Sequence, residues 1–199
     1  MRCQGSKRGA ASEGPRLRVA GSVGGFRSTI LFTGGDAVPV EQLAASAALE
    51  WRASPRWTFV GAAGGVLAGS LGGERLGPGV VGSVAGSFLA LEQGPWWPFV
   101  QLALSLAASG VSAPRSAYVA VDARAALVVG YTVFDRLTPY AVARAFGGPV
   151  FYAGLSGGDR YHYQVGAGLV VGLPGGFDLS AEVVPLGEQR LTAGVGFSF

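Results

Sequence analysis

Charge, cysteine and histidine are all scarce in this chain of 199 residues. Charged residues make up 14% of it, against about 25% in an average soluble domain. The one cysteine, Cys3, excludes an intrachain disulfide and any zinc site that needs several cysteines. The one histidine, His162, is the only position at which histidine-based catalysis could take place. Hydrophobic residues make up 49% of the chain, which excludes a long disordered protein.

Long apolar runs are missing as well. A membrane-spanning helix needs about 20 consecutive apolar residues, and the nearest approach, from Gln93 to Pro114, contains two further prolines and a glutamine. Residues 1–15 lack the apolar core of a secretory signal peptide. We therefore expect residues 1–15 to be a disordered segment or a leader with a wrongly assigned start codon. One domain is expected over residues 16–199.

The positive net charge is confined to the N-terminal tail. The formal net charge is +3, and five basic residues lie within the first 18 positions. The rest of the chain carries 10 basic and 11 acidic residues. A nucleic-acid-binding face is therefore not expected on the domain itself.

Alternation of residue character with a period of two is the main positive signal, and it predicts β-strands. It is clearest from Arg190 to Phe199, where apolar residues alternate with polar residues and glycine. The same pattern predicts ten strands, near residues 16–25, 41–52, 57–69, 79–92, 98–110, 116–133, 138–148, 160–172, 177–186 and 189–199. Short turns alternate with mostly longer connections, which is typical of a transmembrane β-barrel. We predict an all-β, antiparallel up-and-down barrel of ten strands, with eight as the alternative count.

The two faces of these strands differ in the way that a membrane barrel requires. Charged residues share one face with glycine and serine, whereas a soluble, lipocalin-like barrel would direct charge outward. Four acidic and four basic residues are predicted to pair inside the lumen: Glu50, Arg52, Asp122, Arg124, Arg144, Asp178, Glu182 and Arg190. An aromatic girdle at one membrane interface is predicted beside the short turns, from Trp51, Trp57, Trp96 and Trp97.

The last eight residues resemble the C-terminal signature of small bacterial outer-membrane β-barrels. That signature has a polar residue, a glycine two positions later and a terminal aromatic residue, and the matching positions here are Thr192, Gly194, Phe197 and Phe199. The resemblance implies a Gram-negative outer membrane as the location. It also implies recognition of these four residues by the barrel assembly machinery.

The sequence favours a non-enzymatic protein with a structural or surface-interaction role, carried by its longer loops. A narrow passive pore for small solutes is the first alternative. The second is a lipid-modifying enzyme that uses His162. We expect no cofactor and no metal, because glycine pairs lack the lysine of a phosphate loop and the carboxylates are scattered. The expected environment is a lipid bilayer, the expected state is a monomer, and no ligand is identified.

Overall fold

A computed structural model describes residues 16–113 and 117–199 as an almost entirely β structure. The predicted leader, residues 1–15, lies outside the described residues. The strands are β1 (Leu17–Phe32), β2 (Ala37–Arg52), β3 (Trp57–Leu71), β4 (Glu74–Leu76), β5 (Gly79–Leu91), β6 (Phe99–Ser112), β7 (Ala117–Gly130), β8 (Leu137–Gly147), β9 (Val150–Tyr152), β10 (Leu155–Asp159), β11 (Tyr163–Gly172), β12 (Phe177–Gly187) and β13 (Gln189–Ser198). No helix within the described residues is long and apolar enough to cross a membrane.

Ten of these strands form a closed antiparallel barrel. The order around the ring is β1-β2-β3-β5-β6-β7-β8-β11-β12-β13. The last strand returns to the first along a ladder from Arg18 opposite Ser198 to Arg27 opposite Gln189. The predicted ten-stranded, up-and-down barrel is therefore confirmed. We call the end that carries Leu17 and Phe199 the inner end, and the opposite end the outer end.

A second, smaller ring closes the outer end. Beyond Arg27, β1 pairs with β10, and beyond Asp122, toward the outer end, β7 pairs with β9. Since β9 and β10 also pair with each other, the outer ring runs β1-β2-β3-β5-β6-β7-β9-β10 and contains eight strands. The strands β8, β11, β12 and β13 are shorter than the other six strands of the main ring and end before the outer ring begins. The β9–β10 hairpin thus takes their place in the outer ring.

Several predicted loops are strand in the structure. The segment 26–40, expected to be a loop, is mostly paired, and only residues 33–36 connect β1 to β2. Residues 70–78 contain the end of β3 and all of β4, and 149–159 form the β9–β10 hairpin. In these segments the strands remain paired beyond the point where outward apolar residues alternate with polar ones. The sequence pattern therefore underestimates the lengths of β1, β2 and β3.

Side chains alternate between the lumen and the outer surface along most of each strand, and bulges interrupt this alternation on β3, β5 and β12. On β1, Arg18 and Ile30 point inward and are buried, whereas Val19 and Val23 point outward and are 44% exposed. The other ring strands behave in the same way, with outward leucine, valine, alanine and aromatic residues. Below the outer ring, the outer surface is therefore apolar and the polar strand residues face the interior.

The outer ring is filled by apolar side chains. Among the described residues, nine buried side chains from seven strands meet there: Ile30, Phe32, Val40, Val66, Leu71, Leu76, Val111, Tyr118 and Val150. We call this set the outer plug. An eight-stranded barrel has an interior just wide enough to be filled by side chains. The smaller number of strands narrows the outer ring, and the apolar side chains then fill the remaining space and close this end of the barrel.

Two glycines of β3 allow a direct test of which side chains face the lumen and which face the outer surface. We expect Gly64→Val to lower the free energy of unfolding by about 1–3 kcal/mol, because overpacking strains the barrel wall. A Cβ atom there would lie 2.6 Å from the Ser46 Cα atom. Gly61→Val, with nothing within 4 Å of the new Cβ, should change stability by less than about 0.5 kcal/mol. Urea unfolding in lipid vesicles measures the free energy of unfolding of both variants. Equal decreases would contradict the faces assigned to Gly64 and Gly61.

Candidate functional site

A buried ion-pair cluster lies at the inner end of the lumen, beside the seam where β13 meets β1. The Arg18 guanidinium donates from Nε to Asp178 Oδ2 at 2.9 Å and from Nη2 to Asp178 Oδ1 at 2.6 Å. Its Nη1 atom donates to Glu50 Oε2 at 3.2 Å. The Arg18 and Asp178 side chains are only 7% and 3% exposed. The cluster therefore joins β1, β2 and β12 across the closing seam.

A second network crosses the middle of the lumen. Arg124 pairs with Asp122 on its own strand, and its Nη1 atom lies 3.4 Å from Glu188 Oε1. Gln164 donates to the same Glu188 carboxylate. The Arg124 guanidinium also lies 5.0 Å from the centre of the Phe146 ring. Because the partners are mostly buried, this part of the network holds β7, β11 and the β12–β13 turn in one geometry.

The same network continues toward the inner end through Arg144. Its Nη1 atom donates to Gln164 Oε1 at 3.4 Å, and its Nη2 atom lies 2.8 Å from both oxygens of Glu182. The Tyr140 hydroxyl donates to Glu182 Oε2 at 3.0 Å. Polar contacts thus form an unbroken path from Asp122 to Tyr140.

The structure brings together most of the charged residues that the sequence assigned to the lumen. Six of them enter the two ion-pair groups: Glu50, Asp122, Arg124, Arg144, Asp178 and Glu182. Arg52 lies on the same inward face of β2 as Glu50. Arg190 donates from Nε to Thr192 Oγ1 at 3.1 Å on its own strand.

Sequence reasoning missed several partners in these networks. The charge count groups Arg18 with the basic N-terminal segment, although its alternation with Ala20 and Ser22 indicates a position inside the barrel. Glu188 lies in the tight connection between β12 and β13, where no alternation marks a face. Gln164 is 1% exposed and carries no charge that would have marked it as a partner.

His162 lies outside these networks, in the connection immediately before β11. Its Nδ1 atom is 3.2 Å from the Phe146 backbone oxygen. The nearby Asp159 carboxylate accepts a hydrogen bond of 2.9 Å from the Ser28 hydroxyl. Burial raises the pKa of Asp159 above its ordinary value, and the hydrogen bond from Ser28 opposes that rise. Within the described residues, no group of three or more His, Cys, Asp or Glu side chains is placed to hold a metal ion.

Aromatic side chains gather on the outer surface at the inner end. Trp57 lies 6.2 Å from Phe59 and 5.0 Å from Phe88, measured between ring centres. Trp51 stacks on Phe59 from the other side, at 6.0 Å. Trp96 is 90% exposed in the turn between β5 and β6, beside Trp97. All four tryptophans named as a girdle thus lie at one end of the barrel.

The C-terminal residues belong to the closing strand. Thr192 and Gly194 face the lumen, whereas Phe197 is directed outward and its ring lies 5.9 Å from the terminal Phe199 ring. The Phe199 amide donates to the Leu17 carbonyl oxygen at 3.1 Å. Thr192, Gly194 and Phe197 therefore lie in the strand that completes the ring, and Phe199 follows it and pairs with Leu17. Their recognition by an assembly machinery remains a prediction.

No protein-family model matches the chain, and no curated protein sequence matches it either. Solved structures do. The translocator domain of the autotransporter NalP from Neisseria meningitidis aligns with a TM-score of 0.56 at 13% identity, over 95% of this chain and 90% of that one. The outer membrane protease OmpT from Escherichia coli aligns with a TM-score of 0.55 at 10% identity, over 98% of this chain and 100% of that one. An outer membrane channel from Pseudomonas putida F1 aligns with a TM-score of 0.52 at 10% identity, over 97% and 100% of the two chains.

The fold is that of an outer-membrane β-barrel. Its apolar outer face and polar interior agree with the predicted location in a bacterial outer membrane and with a lipid bilayer as its surroundings. The similar proteins include a translocator domain, a protease and a channel, so the barrel itself does not specify an activity.

The seam cluster makes a prediction about stability. We expect Arg18→Met to lower the free energy of unfolding by about 3–5 kcal/mol, because it leaves the buried Asp178 and the partly buried Glu50 without their cation. Arg56→Met is the control, since Arg56 and Glu92 are exposed and 4.0 Å apart, and it should cost less than about 1 kcal/mol. The midpoint of urea unfolding reports both changes. Losses of similar size would show that the seam does not depend on Arg18.

Proposed function

We propose that this protein is a non-enzymatic, non-conducting barrel of a Gram-negative outer membrane, with a structural or surface-contact role at its outer end. The proposal is supported by the fold, by the apolar outer face and by the pairing of charges inside the lumen. Such pairing is the simplest way to keep charged side chains in a confined interior.

The observation that carries the proposal is the outer plug. Phe32 is 6% exposed, and Val40 and Tyr118 are 0% and 2% exposed. These side chains come from different strands and meet inside the eight-stranded ring. A path for polar solutes needs water or polar groups along its whole length. An apolar cluster of this kind favours a closed barrel over the narrow pore that was the first alternative.

Because the lumen is closed, the outer end is the part of the barrel that offers surfaces for binding a partner. The β9–β10 hairpin lies across the gap between β7 and β1 and is fixed there by Tyr152, whose hydroxyl donates to Glu74 Oε2 at 3.2 Å. Tyr152 also lies 6.4 Å from the Phe32 ring. The same hairpin exposes Phe151 and Leu155 on its other side. A rigid scaffold that presents exposed side chains at its end is a common arrangement for binding.

Single-channel recording in planar lipid bilayers tests the closed lumen. We expect the unaltered protein to produce no stepwise current, because the plug interrupts the polar interior. The double variant Phe32→Ala, Tyr118→Ala should produce steps, since it removes both aromatic rings of the plug. Phe59→Ala is the matched control on the outer surface and should remain closed.

Folding has to be monitored in the same samples. Closed membrane barrels often resist SDS until heated, so each variant should show a mobility difference between boiled and unboiled samples. Stepwise currents from the unaltered, heat-shifting protein would overturn the closed-barrel proposal in favour of a pore. A chain that shows no heat shift and stays soluble without detergent would overturn the membrane placement itself.

A further inference from the structure

A groove of about 920 Å³ crosses the outer surface of the barrel near its outer end. It extends over adjacent strands from β12 to β4, and it includes no residue from the opposite wall formed by β6, β7 and β8. Its lining residues mostly point outward, and the inward-facing ones, Phe26, Gln42, Gly69, Val184 and Arg190, form the single row of the sheet between two outward-facing rows. The groove therefore lies on the outer surface. Two of its outward-facing residues, Gly25 and Ala68, are small, while Leu43, Leu191 and Arg75 provide longer side chains around them.

Two successive outward-facing rungs of the sheet cross this groove, separated by one inward-facing rung, and they differ sharply in character. The lower rung, nearer the inner end, contains only apolar residues and glycine: Val183, Leu191, Gly25, Leu43 and Ala68. The upper rung contains only polar residues: Gln189, Arg27, Glu41, Ser70 and Arg75. In both rungs the side chains point to the outer surface. The groove thus spans the boundary where the apolar outer band ends.

The upper rung carries an excess of positive charge. Arg27 Nε lies 3.1 Å from Glu41 Oε1, and the two side chains are 65% and 54% exposed. A guanidinium has five N–H donors, so this contact leaves most of the Arg27 donors for another partner. Arg75 adds a second guanidinium to the same rung. Arginine is well suited to bind phosphate, because its planar donors match two phosphate oxygens at once.

We propose that this groove binds a phosphate-bearing anionic lipid of the surrounding membrane. The phosphate would contact Arg27 and Arg75, and an acyl chain would lie over Gly25 between Leu43 and Leu191. This combination of a basic rim and an apolar floor at a polarity boundary fits an amphipathic anion better than a free anion. The inference rests on the membrane location given under Proposed function.

Lipid titration of the full-length protein in dodecyl maltoside tests this proposal. Phosphatidylglycerol is the anionic probe, phosphatidylcholine the zwitterionic one, and inorganic phosphate the probe without an acyl chain. We expect phosphatidylglycerol to raise the midpoint of thermal unfolding, followed by tryptophan fluorescence, and to remain bound in native mass spectrometry. Phosphatidylcholine and inorganic phosphate should do neither at the same concentration.

Two kinds of variant test the apolar floor around Gly25 and the basic rim of Arg27 and Arg75 separately. Gly25→Leu fills the groove, and its Cβ atom meets only the Gln42 carbonyl oxygen at 3.7 Å, so the strand is not strained. The double variant Arg27→Gln, Arg75→Gln removes the cations. Each should raise the apparent Kd for phosphatidylglycerol at least tenfold. Gly21→Leu on β1 and Arg56→Gln at the inner end are the matched controls and should stay within twofold.

The outcomes distinguish this inference from the membrane placement. A heat-shifting barrel that responds equally to both lipids would overturn the lipid site and leave the barrel assignment intact. Stabilisation by inorganic phosphate alone would reduce the site to an anion contact and also overturn the proposal. Concentration-dependent dimers that Gly25→Leu abolishes, without a lipid effect, would assign the groove to a second copy of the chain.

Discussion

Every strand edge in this barrel needs a partner, and that constraint determines the rest of the structure. An unpaired peptide group costs several kcal/mol in an apolar environment, so a sheet there has to close on itself. The ladder between β1 and β13 provides the main closure, but it ends at Arg27, while β1 continues to Phe32. The β9–β10 hairpin pairs with the two edges left above that point. These pairings determine the number of strands in each ring and therefore the width of its lumen.

The contents of the lumen follow from the width of each ring. The eight-stranded ring is narrow enough for apolar side chains to meet, and the wider ten-stranded ring below it contains long charged side chains. Arg124 reaches Glu188 in the β12–β13 turn and Arg144 reaches Glu182 on β12, which smaller side chains at the same positions would not do. Buried ion pairs are weak evidence for added stability, but breaking one is costly. The networks therefore act mainly to fix which strands lie opposite each other.

The sequence predicts the ten strands and their faces because lipid on one side and a polar lumen on the other impose alternation. That signal changes above Arg27, where the apolar side chains of β1 and β2 face the outer plug instead of lipid, and it ends in the turn at Gly34 and Gly35. The sequence pattern therefore predicts a loop where the structure has the outer parts of β1 and β2. The β9–β10 hairpin depends on pairing with strands far away in the sequence, which no local pattern reveals. Glu188 was missed for a related reason, since turn residues belong to neither face. The aromatic and charged positions that lie inside regular alternation were placed on the faces that the structure shows.

Topology and surface chemistry change at the same height on the β1 side of the barrel. Arg27 is the last β1 residue that pairs with β13, and it also belongs to the first polar rung of the outer surface. Below it, the wall is part of the ten-stranded ring and is apolar outside; above it, β1 pairs with β10 in the eight-stranded ring. If the polarity boundary marks the membrane surface, the wide ring is the membrane-spanning part and the narrow ring projects beyond it. The outer plug then lies outside the hydrocarbon layer on this side, where it closes a mouth that would otherwise admit water to the charged interior.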